Sequence, residues 1–74
     1  MLQYPFSFKL DDGTNVTVNT TNTIVYQFDV TEANGGQFHF EWHIFRGKDG
    51  QPKDYHKVLD AYREIADESR FALN

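Results

Sequence analysis

Apolar and polar residues alternate with period two through most of the first 45 positions. Tyr4, Phe6, Phe8 and Leu10 share one parity against Pro5, Ser7, Lys9 and Asp11, and Val16 and Val18 alternate with Thr17 and Asn19. Ile24, Tyr26, Phe28 and Val30 then alternate with Val25, Gln27, Asp29 and Thr31, as Phe38, Phe40, Trp42 and Ile44 do with Gln37, His39, Glu41 and His43. Successive side chains of a strand point to opposite faces, so this period predicts four half-buried strands. Their expected extents are about 3–10, 14–19, 23–31 and 37–45, within the usual boundary error. Aromatic and β-branched residues dominate the apolar set, as a pleated, half-buried surface favours.

After Phe45 the chain turns through Arg46-Gly47-Lys48-Asp49-Gly50-Gln51 and the period changes. Tyr55, Val58, Leu59, Tyr62, Ile65, Ala66 and Ser69 fall at i, i+3, i+4, i+7, i+10, i+11 and i+14, which predicts an amphipathic helix over about 52–69. Pro52 suits the first helical position, and Asp54 favours the positive end of the dipole. Asp60, Arg63, Asp67 and Arg70 place opposite charges three or four apart on the solvent side. Phe71 lies off the apolar stripe, so the tail is expected to leave helical geometry there and tuck back.

Turn chemistry supplies a register. A two-residue Asp12-Gly13 turn would set the apolar residues of the first two strands on opposite faces. A three-residue loop, Asp11-Asp12-Gly13, pairs Phe8 with Val16 and Phe6 with Val18, with glycine in the left-handed position. The same logic gives Thr20-Thr21-Asn22, pairing Val18 with Ile24, and Ala33-Asn34-Gly35, pairing Val30 with Phe38 and Phe28 with Phe40. The last register sets Asp29 opposite His39 and avoids Asp29 opposite Glu41. The inner rows are then Phe6–Val18–Ile24–Ile44, Phe8–Val16–Tyr26–Trp42 and Leu10–Thr14–Phe28–Phe40, and an outer row runs Ser7–Thr17–Val25–His43. The fold class is α+β: a four-stranded antiparallel meander packed on one C-terminal helix (ββββα), a single domain over residues 1–74.

Four strands about 4.8 Å apart span close to 19 Å, whereas one helix with its side chains covers about 10–12 Å. The inner rows, with Val30–Phe38 beyond them, hold thirteen apolar side chains against a helix stripe of about six. Part of that face, with Phe6, Phe8, Phe38 and Phe40, is therefore expected to bind a partner, either a second copy in a homodimer or another protein. Strong sheet twist wrapping the first hairpin around the helix is the competing outcome.

Composition narrows the possibilities. The chain has 74 residues, 7 Phe, 4 Tyr and 1 Trp, and aromatics of that size can build a core in a domain otherwise short of buried area. It has no cysteine, which excludes disulfides, thiolate zinc sites and thiol chemistry. No run approaches the roughly 18 apolar residues of a membrane span. A net charge of −4 without a basic stripe argues against nucleic acid and anionic membranes. The first residues carry neither a basic nor an apolar leader pattern, so a cytoplasmic setting is expected. Two Asn-x-Thr triplets, at Asn15 and Asn19, read as strand and turn chemistry.

Candidate chemistry is sparse. Asp29, His39, Glu41 and His43 share the outer face and form the alternative ligand-binding set, for a small molecule or an ion. Alternate strand residues lie about 6.6–7 Å apart, so one ion takes two of these ligands at most, and no metal or cofactor is expected. His56 sits at the rim of the helix stripe. The two serines, Ser7 and Ser69, join no nucleophile–base–orienter set, so no catalysis is expected. Gly36-Gln37-Phe38-His39-Phe40 faintly echoes the aromatic strand of RNA-recognition modules, but its aromatics share the helix-side parity. The residues thus favour a non-enzymatic interaction module.

Overall fold

The computed structural model describes residues 2–46 and 53–72. Four strands, β1 (Phe6–Lys9), β2 (Asn15–Thr20), β3 (Val25–Thr31) and β4 (Gln37–His43), form one antiparallel sheet in the order β1-β2-β3-β4. A short 3-10 turn over Ile44–Arg46 follows, and helix α1 runs from Lys53 to Ala72. This is the ββββα arrangement expected from the alternation. The remainder of the expected turn over 47–51, and the place of Pro52, lie outside the described residues.

Two of the three hairpins have the expected register. Phe6 pairs with Val18 and Phe8 with Val16. The Gly13 N–H donates to the Leu10 carbonyl at 3.0 Å with φ +94°, while Asp12 accepts from the Thr14 N–H at 2.9 Å. Val30 pairs with Phe38, Phe28 with Phe40, Tyr26 with Trp42 and Asp29 with His39. Gly35, at φ +92°, closes that turn by donating to the Glu32 carbonyl at 2.9 Å. Only glycine adopts such backbone at little cost, and that fixes the loop length.

The middle hairpin differs from expectation. Val18 pairs with Phe28, not Ile24, and Thr20 pairs with Tyr26. A longer connection over 21–24 replaces the Thr20-Thr21-Asn22 loop, and the left-handed residue is Thr23 (φ +61°), not Asn22. Side chains explain it. The Asn22 carboxamide oxygen accepts from the N–H groups of Ile24 and Val25, each at 3.0 Å. The Thr20 hydroxyl accepts from the Thr23 N–H and donates to the Val25 carbonyl, each at 2.9 Å. These bonds satisfy the backbone of a wider turn and hold a β-branched residue where it is uncommon. The inner rows become Phe6–Val18–Phe28–Phe40 and Phe8–Val16–Val30–Phe38. Phe28 and Phe40 thereby move from the end of the sheet to its middle, and Tyr26 and Trp42 move to the end row with Thr20.

Helix α1 continues through Phe71 to Ala72, so the expected exit from helical geometry at Phe71 does not occur. Between Ile65 and Ala72 stands no glycine or proline to stop it, and Ala66, Glu68, Arg70 and Ala72 all favour helix. Its apolar stripe lies on the sheet. Val16, Val18, Phe28, Val30, Phe40, Trp42, Val58, Leu59 and Tyr62 form the buried core. Full burial of residues such as Phe28 and Leu59, both 0 % exposed, stabilises the fold by about 1.5–3 kcal/mol each.

Candidate interaction surface

The roof over the inner face has two parts. The Tyr55 ring of α1 stacks on Phe38 at 4.8 Å and on Phe40 at 4.5 Å, near parallel to both. One turn pair further on, Tyr62 meets Phe28 edge-on at 5.3 Å and Trp42 at 6.4 Å. The Arg63 guanidinium lies 5.7 Å from the Trp42 ring centre, a cation–π contact. The second part is the N-terminal segment. Leu2 and Tyr4 pack on the core, Tyr4 meets Tyr26 edge-on at 5.8 Å, and its hydroxyl bonds the Tyr62 hydroxyl. Burial pushes the Tyr62 phenol well above its ordinary value, with the bond to Tyr4 adding to it, and Tyr26 is raised for the same first reason. At the other end of the sheet, Lys57 pairs with Asp12 and ties the first turn to the helix. The Lys57 ammonium and the Thr14 bonds hold the Asp12 carboxyl far below the ordinary range.

This roof leaves specific residues out. Phe40 is buried within a single copy, at 7 % exposure, and lies beneath Tyr55. Phe38, Phe6 and Phe8 are half-buried at the two lateral margins, with the Phe6 and Phe8 rings 5.8 Å apart. The larger gap is at the end of the sheet. Ile24 and Ile44, joined by a backbone bond of 3.1 Å, are 41 % and 38 % exposed, and Phe45 is 83 % exposed. Width counting singled out the lateral rings but not this end. The signal was present in the doublet Ile44-Phe45, because period two can turn only one of two neighbours toward a core.

On the outer face the revised register brings different side chains into line. The row is Ser7–Thr17–Asp29–His39, replacing the expected Ser7–Thr17–Val25–His43. Ser7 and Thr17 share a hydrogen bond of 3.0 Å. Three strand spacings, about 14 Å, separate Ser7 from His39, too far for proton transfer between them. His43 and Glu41 lie 3.6 Å apart along β4, and Gln27, Asp29, His39 and Glu41 line a shallow open depression. Among the described residues no three of His, Asp or Glu gather closely enough to hold a metal ion. No helix among them is long and apolar enough to cross a membrane.

The chain matches no known family model, no curated protein and no solved structure.

Proposed function

We propose that this chain is a non-enzymatic interaction module that associates with a second copy of itself through apolar surface its own helix leaves uncovered. The observation that carries the proposal is Phe45, whose ring is 83 % exposed beside the partly exposed Ile24–Ile44 pair. An apolar cluster of this kind on a small domain usually marks a contact. Small domains also gain stability from association more often than large ones, because a single core of this size buries limited area. Phe38, at the β4 margin, extends the surface laterally. The cytoplasmic setting expected from the sequence belongs to the same proposal.

Thermal melting over a range of protein concentrations tests it. Association with the folded state raises the melting temperature as concentration rises. The wild-type chain is expected to show that rise. Phe45→Asp, at a position exposed in one copy, should keep the fold and lose the rise, since burying a phenylalanine contributes about 1.5–3 kcal/mol, a tenfold or greater change in affinity. A wild-type melting temperature independent of concentration contradicts self-association.

A further inference from the structure

The sheet has two edges, and they differ. β1 is four residues long, follows Pro5 and carries Lys9, features that commonly blunt an edge against pairing. β4 is seven residues long, with neither proline nor lysine in it.

Its backbone direction follows from the bonds already described. Ile44 donates to Ile24 and Glu32 donates to Gly36, so the residue pairs of the β3–β4 hairpin that exchange bonds are the even-numbered ones. Gln37, His39, Glu41 and His43 therefore turn their N–H and C=O groups away from β3, along the outer edge.

We infer that β4 pairs antiparallel with β4 of a second copy about a two-fold axis at Phe40, with His39 opposite Glu41 of the second copy, making a continuous eight-stranded sheet. Three constraints select this register. Complete overlap of Gln37–His43 with its symmetry mate places Phe40 on the axis. Outward backbone groups then meet outward groups, odd residue against odd residue. The side chains also complement each other, because both His39–Glu41 pairs set an imidazole N–H donor against a carboxylate acceptor. A shift of the axis to Glu41 instead sets Glu41 against itself, which like-charge repulsion disfavours, and a shift to His39 loses both His39–Glu41 pairs.

A two-fold axis perpendicular to the sheet keeps both helices on one side. Half-buried Phe38 then lies opposite Trp42 of the second copy, and the apolar face continues across the junction. This geometry rests on the self-association proposed above and adds a sheet-edge contact to it.

Mixed-disulfide formation tests it, and the cysteine-free chain supplies no background. His39→Cys and Glu41→Cys alter positions exposed in one copy. Directly opposed strand residues have Cα atoms about 5.5 Å apart, within disulfide range. Positions two residues out of line, 39 to 39 or 41 to 41, are about 8 Å apart, beyond that range. Mild oxidation of an equimolar mixture should give a heterodimer in at least tenfold excess over the homodimer from either variant alone. Cross-linking of one variant with itself at comparable yield would overturn the register. A wild-type dimer without any mixed disulfide would overturn β4 pairing and leave self-association standing. A chain that remains monomeric by mass would overturn both.

Discussion

Gly13 and Gly35 hold similar left-handed backbone but have different neighbours. A Cβ at Gly35 would meet nothing within 4 Å, whereas one at Gly13 would lie 3.2 Å from the Ala33 Cβ, where the first and third turns touch. Alanine at either position incurs the left-handed penalty of roughly 1–2 kcal/mol. Gly13→Ala should cost more than Gly35→Ala in urea midpoint, and Ala33→Gly added to Gly13→Ala should recover the difference; equal losses would deny the contact between the turns. Asp12 governs the acid side. Its carboxyl binds its proton more weakly in the fold than at its ordinary value of 3.8, through Lys57 first and Thr14 next. The resulting stability is fully present above about pH 4 and is lost as pH falls below it. In Asp12→Asn the melting temperature should therefore fall less steeply between about pH 4 and 2, and in wild type 1 M salt should shrink the slope. Tyr62 and Tyr26 act in the opposite direction. Their phenols are raised by burial, so their contribution is present below about pH 10 and is lost as pH rises. Phenolate absorbance at 295 nm should stay short of its unfolded amplitude at pH 11 until the chain unfolds, and Tyr62→Phe should cost about 0.5–1.5 kcal/mol through its lost bond to Tyr4.

Each element shows which part of the sequence carried enough information. Alternation fixed the four strands and their faces, because a one-residue slip would expose every apolar side chain of a strand. Glycine fixed the first and third turns. The middle hairpin had no such marker: a slip by an even number of residues keeps all faces unchanged, and Thr20, Asn22 and Thr23 close their turn with side-chain bonds that spacing does not reveal. That slip carried the site residues with it, placing His39 rather than His43 in the row of Ser7. The inner face also has a second cover that strand and helix widths do not reveal. Tyr4 obeys strand parity, yet the segment around it roofs the core beside Tyr62, and a sequence pattern cannot distinguish these roles. The helix itself was legible along its stripe, and Leu59 is its most deeply set residue, at 0 % exposure. Leu59→Ala should cost about 2–5 kcal/mol, enough to unfold much of the population of so small a domain, as circular dichroism would report. Retention of a full cooperative transition within 1 kcal/mol of wild type would contradict a core centred there.

At the scale of the whole molecule, the same shortage of covering surface appears in three places. The lateral rings Phe6, Phe8 and Phe38 are half-buried, the end cluster of Ile24, Ile44 and Phe45 is exposed, and β4 forms a long sheet edge without the residues that blunt β1. A two-fold junction at β4 meets the need of that edge and of Phe38 beside it, where the apolar face continues into the second copy, while Phe6 and Phe8 stay at the outer margins. Outer-face chemistry offers no comparable convergence, with its imidazole and carboxylate groups spread along rows of a flat surface. Sedimentation equilibrium of the wild-type chain, from about 1 to 100 μM at neutral pH, tests self-association most directly. The mass should rise with concentration toward twice 8.6 kDa, and a mass of 8.6 kDa at every concentration would contradict it.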